Sequence, residues 1–83
     1  MTNKFAIYKT PNIFFSAILK ELRIKRKISQ KNLAELSGLS REYIGQLERG
    51  QKFPALVTLF LISEALEINP SKFIRLMEQA NSK

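Results

Sequence analysis

The side chains with the clearest chemical potential lie on one face of a short predicted helix. Glu42, Gln46 and Arg49 recur at helical spacing along this face, and Arg41 projects from the first turn of the same helix. An arginine fork matches two acceptors of guanine, a glutamine amide matches adenine, and a glutamate accepts from the amino group of cytosine. Polar side chains of these types on one outer face suit contact with a DNA groove better than bond-breaking chemistry.

Two short helices joined by a tight turn must position this face. Ser29 and Ser40 are favourable N-caps for helices predicted at 30–37 and 41–48, and Gly38 supplies the left-handed conformation that ends the first. A small residue at the helix crossing, a glycine turn and a polar outer face suit insertion of the second helix into a DNA groove. The apolar residues expected to point inward are Leu33, Ala34, Leu36, Ile44 and Leu47.

The composition excludes most catalytic chemistry. The chain of 83 residues has room for one small domain, and it contains no histidine, no aspartate and no cysteine. The commonest general base and metal ligand are therefore missing, and no disulfide or thiolate chemistry is available. We predict no catalytic residue, no metal, no cofactor and no small-molecule ligand, so the protein is not expected to be an enzyme. The lack of cysteine fits a reducing cytoplasm.

The positive charge is concentrated in one part of the chain. Residues 1–52 contain 11 Lys or Arg and 4 Glu, whereas residues 53–83 contain 3 Lys or Arg and 3 Glu. The whole net charge of +7 therefore accompanies the two predicted helices, as a phosphate-binding surface requires. The longest apolar stretch, 13–19, is far shorter than the roughly 20 residues that span a bilayer, so no membrane association is expected.

The segment from Ser29 to Gly50 resembles the helix-turn-helix of the lambda-repressor and Cro-like DNA-binding regulators, and the resemblance extends over about 15–76. It depends on an ordered set of short motifs at the right spacings. They are Ser29-Gln30, Leu33-Ala34, the turn Ser37 to Ser40, the run from Tyr43 to Gly50, and Pro54. The resemblance implies a DNA-binding domain, and double-stranded DNA as its partner.

The predicted fold is all-α, a compact five-helix bundle of the lambda-repressor-like DNA-binding type. A lead-in segment, 1–11, precedes the helix-turn-helix domain at 12–80, and Asn12 is expected to cap the first helix. Phe5, Ile7 and Tyr8 are apolar, so the lead-in either packs back on the bundle or exchanges between subunits as an arm. The five helices are predicted at about 12–27, 30–37, 41–48, 55–67 and 70–80.

The resemblance also implies roles for individual residues. The base-reading positions correspond to Ser40, Arg41, Glu42 and Gln46, and the phosphate-binding positions to Gln30, Tyr43, Arg49, Gln51 and Lys52. A structural ion pair between Arg23 and Glu48 would attach the reading helix to the first helix. Gly45 departs from the pattern, because the family more often has serine or a longer polar residue there. It either permits close approach to the DNA backbone or is tolerated.

A candidate apolar patch in the neutral half suggests association with another protein. Val57 and Leu61 stand four residues apart at positions that the family commonly leaves polar, and Phe60, Ile74 and Met77 are expected to join them. We predict that these residues form the interface of a homodimer, which would act as a transcription regulator on an inverted-repeat operator. Controllers of restriction–modification operons and phage or mobile-element repressors have this organisation.

Two alternatives remain open from the sequence. In the first, the chain is an antitoxin-like interaction module whose main partner is a different protein, and DNA binding is secondary. In the second, the helix-turn-helix is a scaffold used only for protein contacts. The sequence does not distinguish activation from repression, and it does not identify the operator.

Overall fold

The computed structural model describes residues 11–82, which form five helices. The lead-in segment with Phe5, Ile7 and Tyr8, expected either to pack back on the bundle or to form an exchanging arm, lies outside the described residues. The helices are α1 (Pro11–Lys25), α2 (Gln30–Ser37), α3 (Arg41–Glu48), α4 (Leu56–Ala65) and α5 (Pro70–Ser82). Helix α1 packs against α3 and α5, whereas α2 packs against α3 and α4. No helix among the described residues is long and apolar enough to cross a membrane.

The two central helices begin and end where local capping chemistry dictates. The hydroxyl of Ser29 accepts a hydrogen bond from the Asn32 amide at the start of α2, and the hydroxyl of Ser40 accepts one from Tyr43 at the start of α3, each over 3.0 Å. Gly38 ends α2 with a φ of 75° and donates its N–H to the carbonyl of Ala34. Such left-handed C-caps suit glycine, which has no Cβ to clash.

Two other helices are shorter than the sequence predicted, and both end in a left-handed residue that is not glycine. Lys27 follows α1 with a φ of 61°, and Glu67 follows α4 with a φ of 57°. Arg26 joins these two ends, because its Nε donates to the carbonyl of Leu66 over 2.9 Å and its guanidinium pairs with the carboxylate of Glu67. Because these residues are far apart in the chain, no local pattern in the sequence predicts their contact.

The hydrophobic core lies between all five helices. Phe15 of α1 stacks on Phe73 of α5 with ring centroids 5.2 Å apart, and Phe53 approaches Phe15 edge-on. Leu33 of α2 and Leu47 of α3 are completely buried beside them. The remaining core residues are Ile18, Leu19, Ala34, Ile44, Leu59, Ile62, Leu66 and Met77.

Two expectations about which side chains face inward, and one about a helix cap, were wrong. Leu36 is exposed and Ser37 is buried in its place, because the face of α2 that meets the bundle is rotated by one residue. Met77 was expected in the exposed patch but is a core residue with only 6% of its surface accessible. Asn12 lies within α1 instead of capping it, and its Nδ2 donates to the carbonyl of Gly50 over 2.6 Å.

Helix α4 has an unusual distribution of polar and apolar residues. Thr58 and Ser63 are buried on its inner side, whereas its exposed residues are apolar except for Glu64. The Oγ of Ser63 has no hydrogen-bond partner among the described residues. A buried polar group without a partner loses its hydration and receives nothing in exchange.

We therefore predict that Ser63→Ala raises the free energy of unfolding by about 1 kcal/mol. For a domain of this size that corresponds to an increase of roughly 4–8 °C in Tm. Ser37→Ala is the matched control, because the buried Ser37 hydroxyl donates to the carbonyl of Leu33 over 2.7 Å. Thermal unfolding followed by circular dichroism checks both variants. An unchanged or lower Tm for Ser63→Ala contradicts the prediction.

Candidate nucleic-acid interface

The outer face of α3 presents polar side chains that are free to bind a ligand. Arg41 and Glu42 are exposed and Gln46 is half-buried, and no hydrogen bond to these three side chains occurs among the described residues. Because α3 begins at Arg41, the first two lie in its opening turn and Gln46 lies one turn further along. The structure therefore brings three of the four predicted base-reading side chains to one surface. The fourth, Ser40, uses its hydroxyl as the N-cap acceptor and retains its O–H for donation.

An ion pair attaches α3 to α1. The Nε of Arg23 lies 2.5 Å from Oε2 of Glu48, and its Nη2 donates to Oε1 over 3.0 Å, so the guanidinium binds the carboxylate with two parallel hydrogen bonds. The side chains are 13% and 3% exposed respectively. Such a fork fixes direction as well as distance, so it sets how α3 is presented. The predicted residues of the ion pair are the ones that make this contact.

The surroundings of the ion pair satisfy its remaining polar atoms. Nη1 of Arg23 donates to the carbonyl of Ile28 over 2.9 Å, and Nε2 of Gln30 donates to Oε1 of Glu48 over 3.1 Å. The hydrogen bond to Glu48 raises the pKa of the Arg23 guanidinium, against the opposing effect of burial. Glu48 therefore receives donors from α1 and α2 together. We name the three residues Arg23, Gln30 and Glu48 the α3 clamp.

Gln30 has a more restricted position than its predicted phosphate role suggested. Its amide is part of the α3 clamp, while its backbone N–H lies in the first turn of α2, where helical N–H groups have no partner in the helix. The first turn of α2 is therefore the part of Gln30 that remains open to an anion, and the side chain is held against Glu48. No local pattern in the sequence predicts the hydrogen bond between the Gln30 side chain and Glu48, because the two residues are 18 positions apart.

The end of α3 and the following loop contain the other predicted phosphate-binding residues. Tyr43 is partly buried against the core, and Arg49, Gln51 and Lys52 are exposed. Nη2 of Arg49 donates to Oε1 of Gln51 over 3.3 Å. The bond from Asn12 to the carbonyl of Gly50 lies just past the C-terminal end of α3, where Arg23 also binds Glu48, so two contacts from α1 hold this same end of α3.

Gly45 is not an open position on the outer face. It is buried although it lies beside Gln46, because the guanidinium of Arg49 covers it. A Cβ at position 45 would be 2.9 Å from Nη1 of Arg49. The sequence suggested that Gly45 either permits close approach of the DNA backbone or is merely tolerated. Neither explanation included the contact with Arg49.

The fold and the sequence both match a known family. A helix-turn-helix family model, HTH_3, matches residues 19–73, which is more than half of the chain. The chain belongs to the helix-turn-helix family. The predicted lambda-repressor-like family and the all-α five-helix fold are thereby confirmed.

Relatives within the helix-turn-helix family include regulators of different lengths. The chain is 41% identical over 61 residues to the HTH-type transcriptional regulator SutR of Escherichia coli (strain K12), a match that covers 74% of this chain and 34% of SutR. The chain thus spans about a third of that relative, and the similarity concerns the DNA-binding type of domain.

Solved structures of restriction–modification controller proteins are similar over most of their length. C.AhdI from Aeromonas hydrophila is 41% identical, with a TM-score of 0.74 over 76% of this chain and 96% of C.AhdI. A second controller, C.Esp1396I, was solved as a tetramer in complex with its natural 35 base-pair operator. It is 28% identical, with a TM-score of 0.79 over 87% of this chain and 95% of that one.

We predict that Glu48→Ala destabilises this helix-turn-helix domain by about 3–5 kcal/mol, because it leaves the buried Arg23 guanidinium without a counter-charge. That loss is a large part of the stability of a small domain. Glu35→Ala is the matched control, since Glu35 is exposed on α2 and has no described partner; its effect should stay within about 0.5 kcal/mol. Urea unfolding measures the free energy of unfolding of both variants. If Glu48→Ala loses no more stability than Glu35→Ala, the α3 clamp contributes no stability.

Proposed function

We propose that the chain is a sequence-specific transcription regulator that binds an inverted-repeat operator as a homodimer. The observation that carries this proposal is the outer face of α3, where the side chains of Arg41, Glu42 and Gln46 make no hydrogen bond to any residue of 11–82 and the α3 clamp holds the C-terminal end of the helix. A rigid helix with free hydrogen-bonding side chains suits the major groove, in which each base pair shows a distinct pattern of donors and acceptors.

In this proposal Arg41 pairs with guanine and Gln46 with adenine, each through two hydrogen bonds, and Glu42 accepts from the amino group of cytosine. Ser40 contributes its O–H from the start of the helix. These assignments follow from the chemistry of the side chains and from their position in the first two turns of α3. Recognition helices contact base edges mainly through such N-terminal residues.

Phosphate contacts on both sides of α3 would hold the helix in the groove. The first turn of α2 offers backbone N–H groups at Gln30, and Tyr43, Arg49, Gln51 and Lys52 are assigned to the opposite side. The positive charge of the helix-turn-helix half supplies the sequence-independent part of the affinity. The relatives C.AhdI and SutR support this role, and the C.Esp1396I complex shows an operator-bound controller of similar fold.

The outer side of α4 supports self-association. Val57, Phe60 and Leu61 are exposed there, and Ile74 of α5 is also exposed. Leu56, which the sequence-based assignment did not include, is exposed on the same side of α4. An exposed apolar helix side of this kind is typical of a surface that another protein covers. We name Leu56, Val57, Phe60, Leu61 and Ile74 the α4 patch.

The shape near the α4 patch also suits a partner. A largely apolar recess of about 190 Å³ lies beside it, with Leu56 and Ile74 among its lining residues. A second copy is the occupant proposed for this surface, because a two-fold dimer places two copies of α3 against two half-sites of an inverted repeat. The half-sites would lie about one helical turn apart.

We expect selection from random duplex DNA to enrich a palindromic site, and the affinity for that site to fall steeply as salt rises. Arg41→Ala and Gln46→Ala should each relax the preference at one base position per half-site, at a cost of about 1–3 kcal/mol. Lys72→Ala serves as control, because it removes one positive charge from the exposed surface of α5. Failure of the wild-type chain to enrich any sequence would refute the proposed function.

Val57→Glu should convert the dimer into a monomer, because a charge would replace an apolar side chain inside the interface. Leu36→Glu is the matched control, since Leu36 is 64% exposed and Val57 is 62% exposed, but Leu36 lies on α2 outside the α4 patch. Sedimentation at micromolar concentration checks both variants against the wild type. A wild-type monomer would exclude the homodimer and favour a different protein partner for the α4 patch.

A further inference from the structure

The outer face of α3 contains one position that lacks a side chain of its own. Gly45 lies between the levels of Glu42 and Gln46, three residues after the first and directly before the second. At helical spacing, residues three and four apart lie on the same face, so position 45 belongs to the base-reading row. Gly45 is nevertheless buried.

The guanidinium of Arg49 occupies the space beside Gly45. A Cβ at position 45 would lie 2.9 Å from Nη1 of Arg49 and 3.7 Å from both Cζ and Nη2, so the group occupies the space that a side chain would need. Arg49 therefore folds back along α3 by one turn, in the direction that helical side chains lean. Gln51 holds it there, because its Oε1 accepts from Nη2 over 3.3 Å.

We propose that Gly45 is a specificity-determining residue, because it lets the Arg49 guanidinium lie in the base-reading row and pair with guanine. This inference rests on the proposed function. It assigns Arg49 a base-reading role, which replaces the phosphate contact given to this residue in the sequence analysis and in the proposed function. Gly45 acts through Arg49 and touches no base itself, so it is a positioning residue in this scheme.

The chemistry of the group suits this role. A guanidinium has five N–H donors in a planar fork, and only one is used by Gln51, so the fork can still meet O6 and N7 of guanine. Its position over Gly45 places it on the outer face of α3, which is the surface proposed to enter the groove. Because it is already folded over Gly45 without DNA, less conformational freedom is lost when the contact forms.

Gly45→Ala tests the proposal in a protein that folds. Alanine favours a helix interior over glycine, and the atoms in its way are the end of a flexible side chain, so the variant should melt at the same temperature as the wild type or higher. The displaced guanidinium keeps its charge. We expect the preference for guanine at one position per half-site to fall by about 5- to 150-fold, with an unchanged slope of affinity against salt.

Arg49→Ala should relax the same base position. In the Arg49→Ala background, adding Gly45→Ala should produce no further loss of preference, because a non-additive pair shows that Gly45 acts through Arg49. Lys72→Ala is the charge-matched control, and it should leave the preference at every base position unchanged. Binding is measured for the full chain on the selected site and on its single-base variants.

Other outcomes overturn the inference in distinct ways. If Arg49→Ala weakens binding equally for all sequences and lowers the salt slope by about 1, Arg49 is a phosphate contact. If the effects of the two substitutions add, Gly45 does not act through Arg49. If the wild-type chain selects no sequence, the proposed function fails first. A wild type that selects a site, with Gly45→Ala keeping every preference, refutes this inference alone.

Discussion

The contact between Arg23 and Glu48 is the constraint on which the rest of the molecule depends. Glu48 is the last residue of α3, and its carboxylate receives donors from α1 and, through Gln30, from the first residue of α2. Three helices thus meet at one nearly inaccessible carboxylate. Charges removed from water are retained only where their hydrogen bonds are satisfied, and here the fork, the amide and the Ile28 carbonyl satisfy them. The apolar core sets the spacing of the helices, while this contact ties the last residue of α3 to α1 and α2.

The features that the sequence predicts correctly are those with local causes. Ser29, Gly38 and Ser40 act on residues three or four positions away, so the bounds of α2 and α3 can be read directly from capping chemistry. The Arg23–Glu48 pair is distant in sequence, and it was found only because the residues match a family pattern. Base-reading and phosphate assignments were derived in the same way and remain predictions.

The features that the sequence does not predict depend on packing between elements. Leu36 and Ser37 exchange places because one residue of rotation separates two plausible inner faces of α2, and an eight-residue helix contains too few apolar positions to choose between them. Met77 lies four residues after the buried Phe73 and three after an exposed isoleucine, so helical spacing alone does not decide between core and surface. Gly45 is buried by the guanidinium of Arg49, and this contact depends on the rotamer that the long, flexible side chain adopts. No periodicity in the chain encodes that choice.

The chemical uniformity of the outer side of α4 has a consequence for molecular evolution. Leu56, Val57, Phe60 and Leu61 have no polar groups to set a unique pairing, and Glu64 is the helix's one charged residue. Surfaces of this kind discriminate poorly between similar partners, since rejection needs a clash or an unpaired charge. In the proposed homodimer, a paralogue with an equally apolar helix would exchange subunits with this chain. Such a mixed dimer would bind an operator whose two half-sites differ, so one gene duplication would widen the set of regulated genes without altering α3 in either protein.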